Sequence, residues 1–550
     1  MFKELVKIAT SFSKLERYVF IGTLIILLVA GGFWLLHIYD NLTVVAPARG
    51  GHYTEGVVGQ PVSLNPLISG VGGADRDLVE LLFADLDELA ENIKVSDDNK
   101  TWIVTLKPKL KWSDGEPLTT ADVLFTLETI QNPDTQSPTF STWQGVVGQR
   151  ISDQEIHFAL KNPYVFFADN LKTLKIVPRH IFGNIPPSNL RLSNYNLEPI
   201  GSGPYKFVSY DKERNGFISR YTLGTNEYYA GQEPFIEDFG MTFFINEVDA
   251  VKSFNRREID GLGGLSPQGL ENLRIGHKVL SINMPRYYAI FINQSTHPAL
   301  KEKTVRDAMA TAIDRSAIIK TVFDNQAVVV DGPLPSIIDG YSPKSGGGAT
   351  DLSDVVASLE KSGWELNADG VREKTIDKRK VKLDFTLQVP QVDFLIKTAD
   401  MISDQLSSIG VHIKIVVLSA VEANEVIRNR NYSLIIFGNT LRGNPDAFSF
   451  WHSSERFYPG LNLAIYNDKT VDSLLENIRQ DFDDEIRKEK LTRLQNIIRG
   501  DQPAVFLLSP NYLYVAVKNL GGLENNVLVL ASDRFKNVEG WFLKTNRVLR

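Results

Sequence analysis

The side chains that could do chemistry are present in this sequence but not assembled. Eight histidines stand at positions 37, 52, 157, 180, 277, 297, 412 and 452. No two have the spacing that puts a pair of imidazoles on one helix face, so no metal pair is expected. The chain has no cysteine. That excludes disulfides, a thiol nucleophile, Cys-ligated zinc or iron–sulfur clusters, and a thioether-linked lipid. There is no Gly-x-Ser-x-Gly elbow and no phosphate-loop sequence. Ser-x-x-Lys stretches such as Ser11/Lys14 and Ser358/Lys361 lack the companion motifs such enzymes need. The acidic pairs Asp97-Asp98 and Asp483-Asp484 read as a turn and a helix start rather than a general-acid pair. The glycine run in 342–350 (SPKSGGGAT) has no Lys-Ser/Thr behind it and reads as a flexible loop. Lys378, Arg379, Lys380 and Lys382 read as a solvated hairpin turn. No catalytic residue, metal or cofactor is therefore expected, and the chain is not expected to be an enzyme.

At 550 residues the chain has room for several domains. Its 43% hydrophobic and 23% charged residues are ordinary globular usage. A net charge of −7 argues against a nucleic-acid partner.

The segment 19–39 (VFIGTLIILLVAGGFWLLHIY) carries no formal charge. At ~1.5 Å per residue a helix of that length spans a hydrocarbon core of about 30 Å. Before it stand Lys3, Lys7, Lys14 and Arg17 against Glu4 and Glu16, whereas the far side opens on Asp40 and meets its first basic residue at Arg49. Basic residues stay on the cytoplasmic side, so residues 1–18 are expected inside and the bulk of the chain outside. Two alternatives stand beside a retained anchor. One is a signal peptide cleaved at Ala46-Pro47-Ala48, although its apolar core would be longer than the usual ~7–15 residues. The other is a buried core helix, although no amphipathic face is left over. Residues 40–50 read as a linker.

Beyond the linker the periodicities describe an α/β chain. A strand over 54–58 leads into a loop over 59–75 and a helix over 77–86. Residues 101–112 alternate and read as a hairpin. Thr119 and Asp122 form a capping box that opens a helix. Residues 301–323 read as an amphipathic helix pair. A helix over 395–409 closed by Gly410, a strand over 411–417 and an apolar strand over 432–437 give the helix–strand alternation of a covered sheet. Two further helices are expected over 470–480 and 484–499.

Several blocks then fall in an order that resembles one family. They are EGVVGQPVSLNPL from Glu55, KWSDGEPLTTADV from Lys111, GSGPYKF from Gly201, and VRDAMATAIDRSAII from Val305. Gly363-Trp364 with Asp369-Gly370, ISDQLSSIGV from Ile402, Asn444-Pro445-Asp446 with Trp451, and QNIIRGDQP from Gln495 complete the series. Over about 53–540 the chain resembles the extracytoplasmic solute-binding proteins of family 5, which serve oligopeptide, dipeptide and nickel ABC importers. The resemblance implies a mixed α/β, bilobal clamshell with an extra inserted domain, following the N-terminal transmembrane helix. Lobe I would comprise 50–85, 200–283 and 510–550, inserted domain II 86–199, and lobe III 284–509, with crossings near Pro285 and Ser509-Pro510. It further implies binding of a peptide or similar small solute between the lobes, delivery to ABC permease subunits, attachment to the membrane through the N-terminal helix, and a monomer.

The family's cleft is lined by the loop after the entry strand and by the segment before Asn-Pro-Asp. The ligand-binding candidates are therefore Ile68, Ser69, Gly70 and Val71, together with Asn439, Thr440, Leu441, Arg442, Asp446 and Trp451. Trp143, Tyr287 and Tyr288 are aromatic candidates for cleft walls. The sequence departs from the pattern at one point. Peptide-binding relatives carry a carboxylate for the ligand's amino group four residues before the proline, where this chain has Leu441. Arg442 beside it is a candidate partner for an anionic ligand group. A same-fold membrane-held sensor, peptide chaperone or adhesin is the alternative reading, and the few scattered histidines give nickel little support.

Overall fold

The computed structural model describes residues 13–70, 72–335, 337–338, 352–441, 443–524 and 528–549. The loop expected over 342–350 lies outside them. Two large sheets dominate. The first has seven strands in the order His277–Ile282, Tyr512–Val517, Gly261–Gly263, His52–Val58, Asp238–Phe244, Ile218–Thr225 and Tyr205–Lys212. Its inner strand His52–Val58 runs parallel to both neighbours and is buried along five successive residues. Burial on both faces is usual for a strand with parallel neighbours, and here it takes in Thr54 and Glu55 as well as Tyr53 and Val57. The second sheet has six strands in the order Ala327–Val329, Ala504–Pro510, Arg286–Ile292, Leu434–Thr440, Asp384–Pro390 and His412–Leu418.

The second sheet is wound by the elements that the spacing anticipates. Helix Asp393–Ser407 buries Leu395, Ala399, Ile402 and Leu406. It ends at Gly410, whose φ of +80° suits a residue without a Cβ. The strand His412–Leu418 then pairs in parallel with Asp384–Pro390. Leu434–Thr440 runs three residues further than its apolar core suggests, because Gly438 to Thr440 continue the ladder against Arg286–Tyr288.

A four-stranded sheet, Ala90–Val95, Thr101–Leu106, Glu155–Ala159 and Val147–Arg150, lies in the segment between the two halves of the first sheet. The hairpin expected over 101–112 is not formed. Thr101–Leu106 pairs instead with Ala90–Val95 and Glu155–Ala159, and Lys111 makes only an isolated bridge to Pro117. Thr101–Leu106 takes its hairpin partner from the upstream side, Ala90–Val95, and its second partner, Glu155–Ala159, from some fifty residues downstream, out of reach of local reasoning. The capping box at Thr119 forms as expected, with the Thr119 N–H donating to Asp122 at 2.9 Å. The basic run 378–382 lies in a hairpin whose turn residues Asp377 and Lys378 are both left-handed.

The chain passes between the large sheets twice. It leaves at Ile282 and re-enters at Arg286, and it returns from Pro510 to Tyr512 through Asn511 alone. The two crossings are stitched together. Ser509 Oγ donates to the Met284 carbonyl at 3.2 Å, and Arg286 donates to the Pro510 carbonyl at 3.1 Å.

Two clusters bury a cation together with two carboxylates. Arg534 donates two bonds to Asp77 at 2.8 and 2.7 Å and two to Glu55 at 3.2 and 3.0 Å. The hydroxyls of Tyr53 and Tyr514 complete the shell of Glu55 at 3.0 and 2.9 Å. Burial pushes the Glu55 carboxyl upward, and Arg534 opposes that shift. At the second place Lys175 meets Asp85 at 2.9 Å and Glu80 at 3.2 Å, and donates to the Phe83 carbonyl at 2.8 Å. Burial raises both Glu80 and the nearby Glu88 to about 7.

Arg534→Met leaves two buried carboxylates without their cation, and an expected loss of about 3–5 kcal/mol is checked by urea unfolding. The Glu88 shift has the opposite sign from an ordinary paired carboxylate. Its folded pKa is above the unfolded value of 4.5, so its contribution is fully favourable below that value and is lost as pH rises through about 7. Glu88→Gln is therefore expected to melt higher than the wild type at pH 8 and no higher at pH 4.5, read by thermal unfolding across that range.

Candidate functional site: the cleft between the sheets

A cavity of about 820 Å³ opens at the crossings. One wall is the start of the helix Gly73–Leu82 with Arg76 and Asp77, the strand end at Tyr512, and the segment from Val529 to Ser532. The opposite wall is Phe323, Asp393, Phe394 and Lys397, and Arg286 lies at the floor beside Pro510. Two further chambers, of about 630 and 910 Å³, continue along the second sheet. Thr440, at the end of Leu434–Thr440, borders all three.

The polar groups of the first chamber differ in how freely they can meet a ligand. Glu247 is engaged by the Ser266 N–H and hydroxyl at 3.2 and 2.7 Å. Asp77 is held by Arg534. Asp393 and Lys397 are exposed, one helical turn apart on the same helix. Arg286 is largely buried, its Nε has no hydrogen-bond partner, and burial lowers its pKa. A buried guanidinium N–H without an acceptor is costly, and this one is closed off from solvent in the chamber.

The candidates from sequence are distributed unevenly. Thr440 is at the junction of the chambers, with Leu441 and Asp446 in the second and Asn439 in the third. Asn439 is nonetheless buried and donates to the Tyr287 hydroxyl at 2.9 Å. Leu441 is 1% exposed, and its N–H donates to the Pro285 carbonyl at 2.8 Å. Trp451 has no exposed surface and packs against Phe291 and Phe506, so it is a core residue rather than a cleft wall. Tyr287 and Trp143 are buried in the same way. Ile68, Ser69 and Gly70 border none of these chambers. Asn65 turns that loop inward by accepting from the Leu67 N–H at 3.0 Å, which buries Ile68, and Gly73 to Asp77 take the wall position instead. Val71 and Arg442 lie outside the described residues.

Comparison with known proteins decides the family. Residues 87–457 match the model of bacterial extracellular solute-binding proteins, family 5. The chain belongs to this family. It is 27% identical over 516 residues to the oligopeptide-binding protein AppA of Bacillus subtilis, covering 90% of this chain and 92% of that one. The solved structure of AppA from Bacillus subtilis in complex with a nonapeptide superposes with a TM-score of 0.72 at 26% identity, covering 91% of this chain and all of the other. NikZ from Campylobacter jejuni, in complex with Ni(L-His), shares the fold with a TM-score of 0.72 at 23% identity over 89% of this chain and 99% of that one. The family consists of substrate-binding proteins of ABC transport, and the chain is a binding protein rather than an enzyme.

In this family member a second contact crosses the cleft. Phe166, from the segment after Glu155–Ala159, inserts among Tyr287, Trp451 and Leu491 in the core of the second sheet. Around it the Tyr164 hydroxyl donates to Asp446 at 2.8 Å, Arg479 pairs with Asp446 at 2.9 Å, and the Val165 N–H donates to the Arg479 carbonyl at 2.8 Å. Asn444 donates to Asp169 at 2.9 Å. Asp446 is therefore the hub of a latch as well as a chamber wall. Sequence reasoning missed Arg286, Lys397 and the Phe166 contact. Only Arg286 carried a signal, as the residue that follows the crossing proline.

Phe166→Ala removes the buried ring, for which a loss of about 3–5 kcal/mol is typical. The expected outcome is faster hydrogen–deuterium exchange at the Val165 amide with unchanged protection at Ile290 in the sheet. Unchanged exchange at Val165 would show that the latch does not depend on the ring.

Proposed function

We propose that the chain is the membrane-tethered binding component of an ABC importer, taking peptides or similar small solutes into the cleft and presenting them to the permease. The observation that carries this reading is the first chamber, lined from both large sheets at the two short crossings found among the described residues, with two further chambers bordering it at Thr440. A ligand that touches both walls favours closure by the difference in its contacts between the open and closed states. The crossings are short and contain Pro285 and Pro510, which suits a defined rotation rather than a loose one. The nonapeptide named for AppA supports an extended ligand.

On this reading lobe I is 50–85, 200–283 and 510–550, domain II is 86–199, and lobe III is 284–509. The helix Lys14–Leu42 is long and apolar enough to cross a membrane, with none of it buried in the protein. We take it as a retained single-pass anchor with the binding domain outside.

The test uses the full chain reconstituted in lipid nanodiscs and pools of dipeptides to nonapeptides. At ligand concentrations of about 100 times Kd, stabilisation of about 2.7 kcal/mol is expected, a rise in Tm of several degrees. Thr440→Trp fills the junction of the chambers and is expected to abolish the rise without lowering the unliganded Tm. A chain that no peptide stabilises is not a peptide-binding component.

A further inference from the structure

The segment between the apolar helix and the binding domain is not a linker. The helix Lys14–Leu42 runs directly into the strand Thr43–Ala48, which pairs antiparallel with Lys544–Leu549 over its full length, from Thr43 opposite Leu549 to Ala48 opposite Lys544. The ribbon is fixed at both ends. At the helix end Arg547 pairs with Asp40 at 2.5 Å, donates to Thr43 Oγ1 at 3.0 Å, and lies over the Tyr39 ring at 5.2 Å. At the domain end Arg49 pairs bidentately with Glu233, and the Gly50 N–H donates to the Phe235 carbonyl at 2.8 Å. Three residues later the chain is inside the seven-stranded sheet at Tyr53, whose ring meets Trp541 edge-on at 5.6 Å, three residues before the second ribbon strand.

We infer that the strands Thr43–Ala48 and Lys544–Leu549 form a collar that holds the binding domain on its anchor in a fixed pose, with the helix-proximal end of the collar seated in the outer membrane interface. This rests on the reading of Lys14–Leu42 as a membrane anchor. The ribbon's composition supports the seat. Val44, Val45, Val548 and Leu549 cluster in the first three registers after the helix, and Val45 and Leu549 are 61% and 78% exposed. The far registers hold Ala46, Pro47, Asn546, Thr545 and Lys544. An isolated two-stranded ribbon is marginal in water. One whose apolar end is continuous with a membrane helix has the bilayer interface as its natural third layer, with Tyr39 and Arg547 at the depth such residues favour. Cleavage at Ala46-Pro47-Ala48 would remove the partner of Lys544–Leu549, so the collar also implies that the helix stays attached.

The absence of cysteine makes the test direct. Ala46→Cys/Asn546→Cys places two thiols at paired positions, whereas Ala46→Cys/Val548→Cys places them out of register, beyond the reach of a disulfide. In native membranes under mild oxidation the first pair is expected to close and the second to stay open, read as a mobility shift on a non-reducing gel. Equal closure, no closure, or a purified chain that begins after Ala48 overturns the collar. For the seat, Leu549→Cys and Thr545→Cys are each labelled with an environment-sensitive fluorophore in proteoliposomes of phosphatidylethanolamine and phosphatidylglycerol. Blue-shifted emission at 549 alone is expected, and equal emission at both sites overturns it. A chain that closes the disulfide but responds to no peptide removes the import reading and leaves the collar. A chain that responds to peptide without closing it removes the collar alone.

Discussion

One guanidinium organises the first wall of the cleft. Arg534 is buried between Asp77 and Glu55, which come from three separate parts of the chain with it: a helix that fronts the cleft, an inner strand of the seven-stranded sheet, and a short turn near the end of the chain. Charges buried this deeply are tolerated only with full hydrogen bonding, and here both carboxylates and both neighbouring tyrosine hydroxyls supply it. The benefit is positional. The turn that carries Arg534 also presents Ala531 and Ser532 to the cleft, and the helix that carries Asp77 presents Gly73 and Arg76. Fixing one cation therefore fixes the wall against which a ligand must close.

The opposite wall belongs to a different core. Its strand end at Thr440 is set by the ladder with Arg286–Ile292, and that strand begins at the crossing itself. A rotation at the crossings moves the second wall as a unit, because Leu441 is bonded to Pro285 and Arg286 to Pro510. The Phe166 latch closes a second path across the same gap. Motion is thus confined to few degrees of freedom, the condition under which ligand contacts convert into a defined closed state rather than a loose ensemble.

Much of this was legible in the sequence, because it rests on local rules. Periodicity located the helix ending at Gly410, the strand after it, and the capping box at Thr119. What was not legible depended on long-range pairing. One of the two partners of Thr101–Leu106, Glu155–Ala159, lies across an intervening helix. The strand Thr43–Ala48 contains Ala-Pro-Ala, which reads as a linker, and it becomes a strand only because residues some five hundred positions later pair with it. Pro47 is tolerated because each strand of the ribbon has only one partner and so one free edge. In the cleft, chain proximity to the recognised blocks pointed to Ile68–Gly70 and Trp451, but direction of the side chain, not position in the block, decides exposure. Asn65 turns the loop inward, and Trp451 fills the core.

The same distinction bears on Leu441. The resemblance places there the carboxylate that would meet a peptide's amino group, yet in this chain the side chain is buried and the backbone secures the crossing. A carboxylate at this position would be desolvated in the apolar cluster that holds Tyr287 and Trp451. Recognition of ligand charge must then come from groups that still face the cleft. Asp393 and Lys397 offer both signs on one helix face. A zwitterionic ligand can be oriented by such a set through complementary pairs rather than through one dominant ion pair. That arrangement places the orienting charges on the second wall and leaves the Arg534-fixed wall to supply shape.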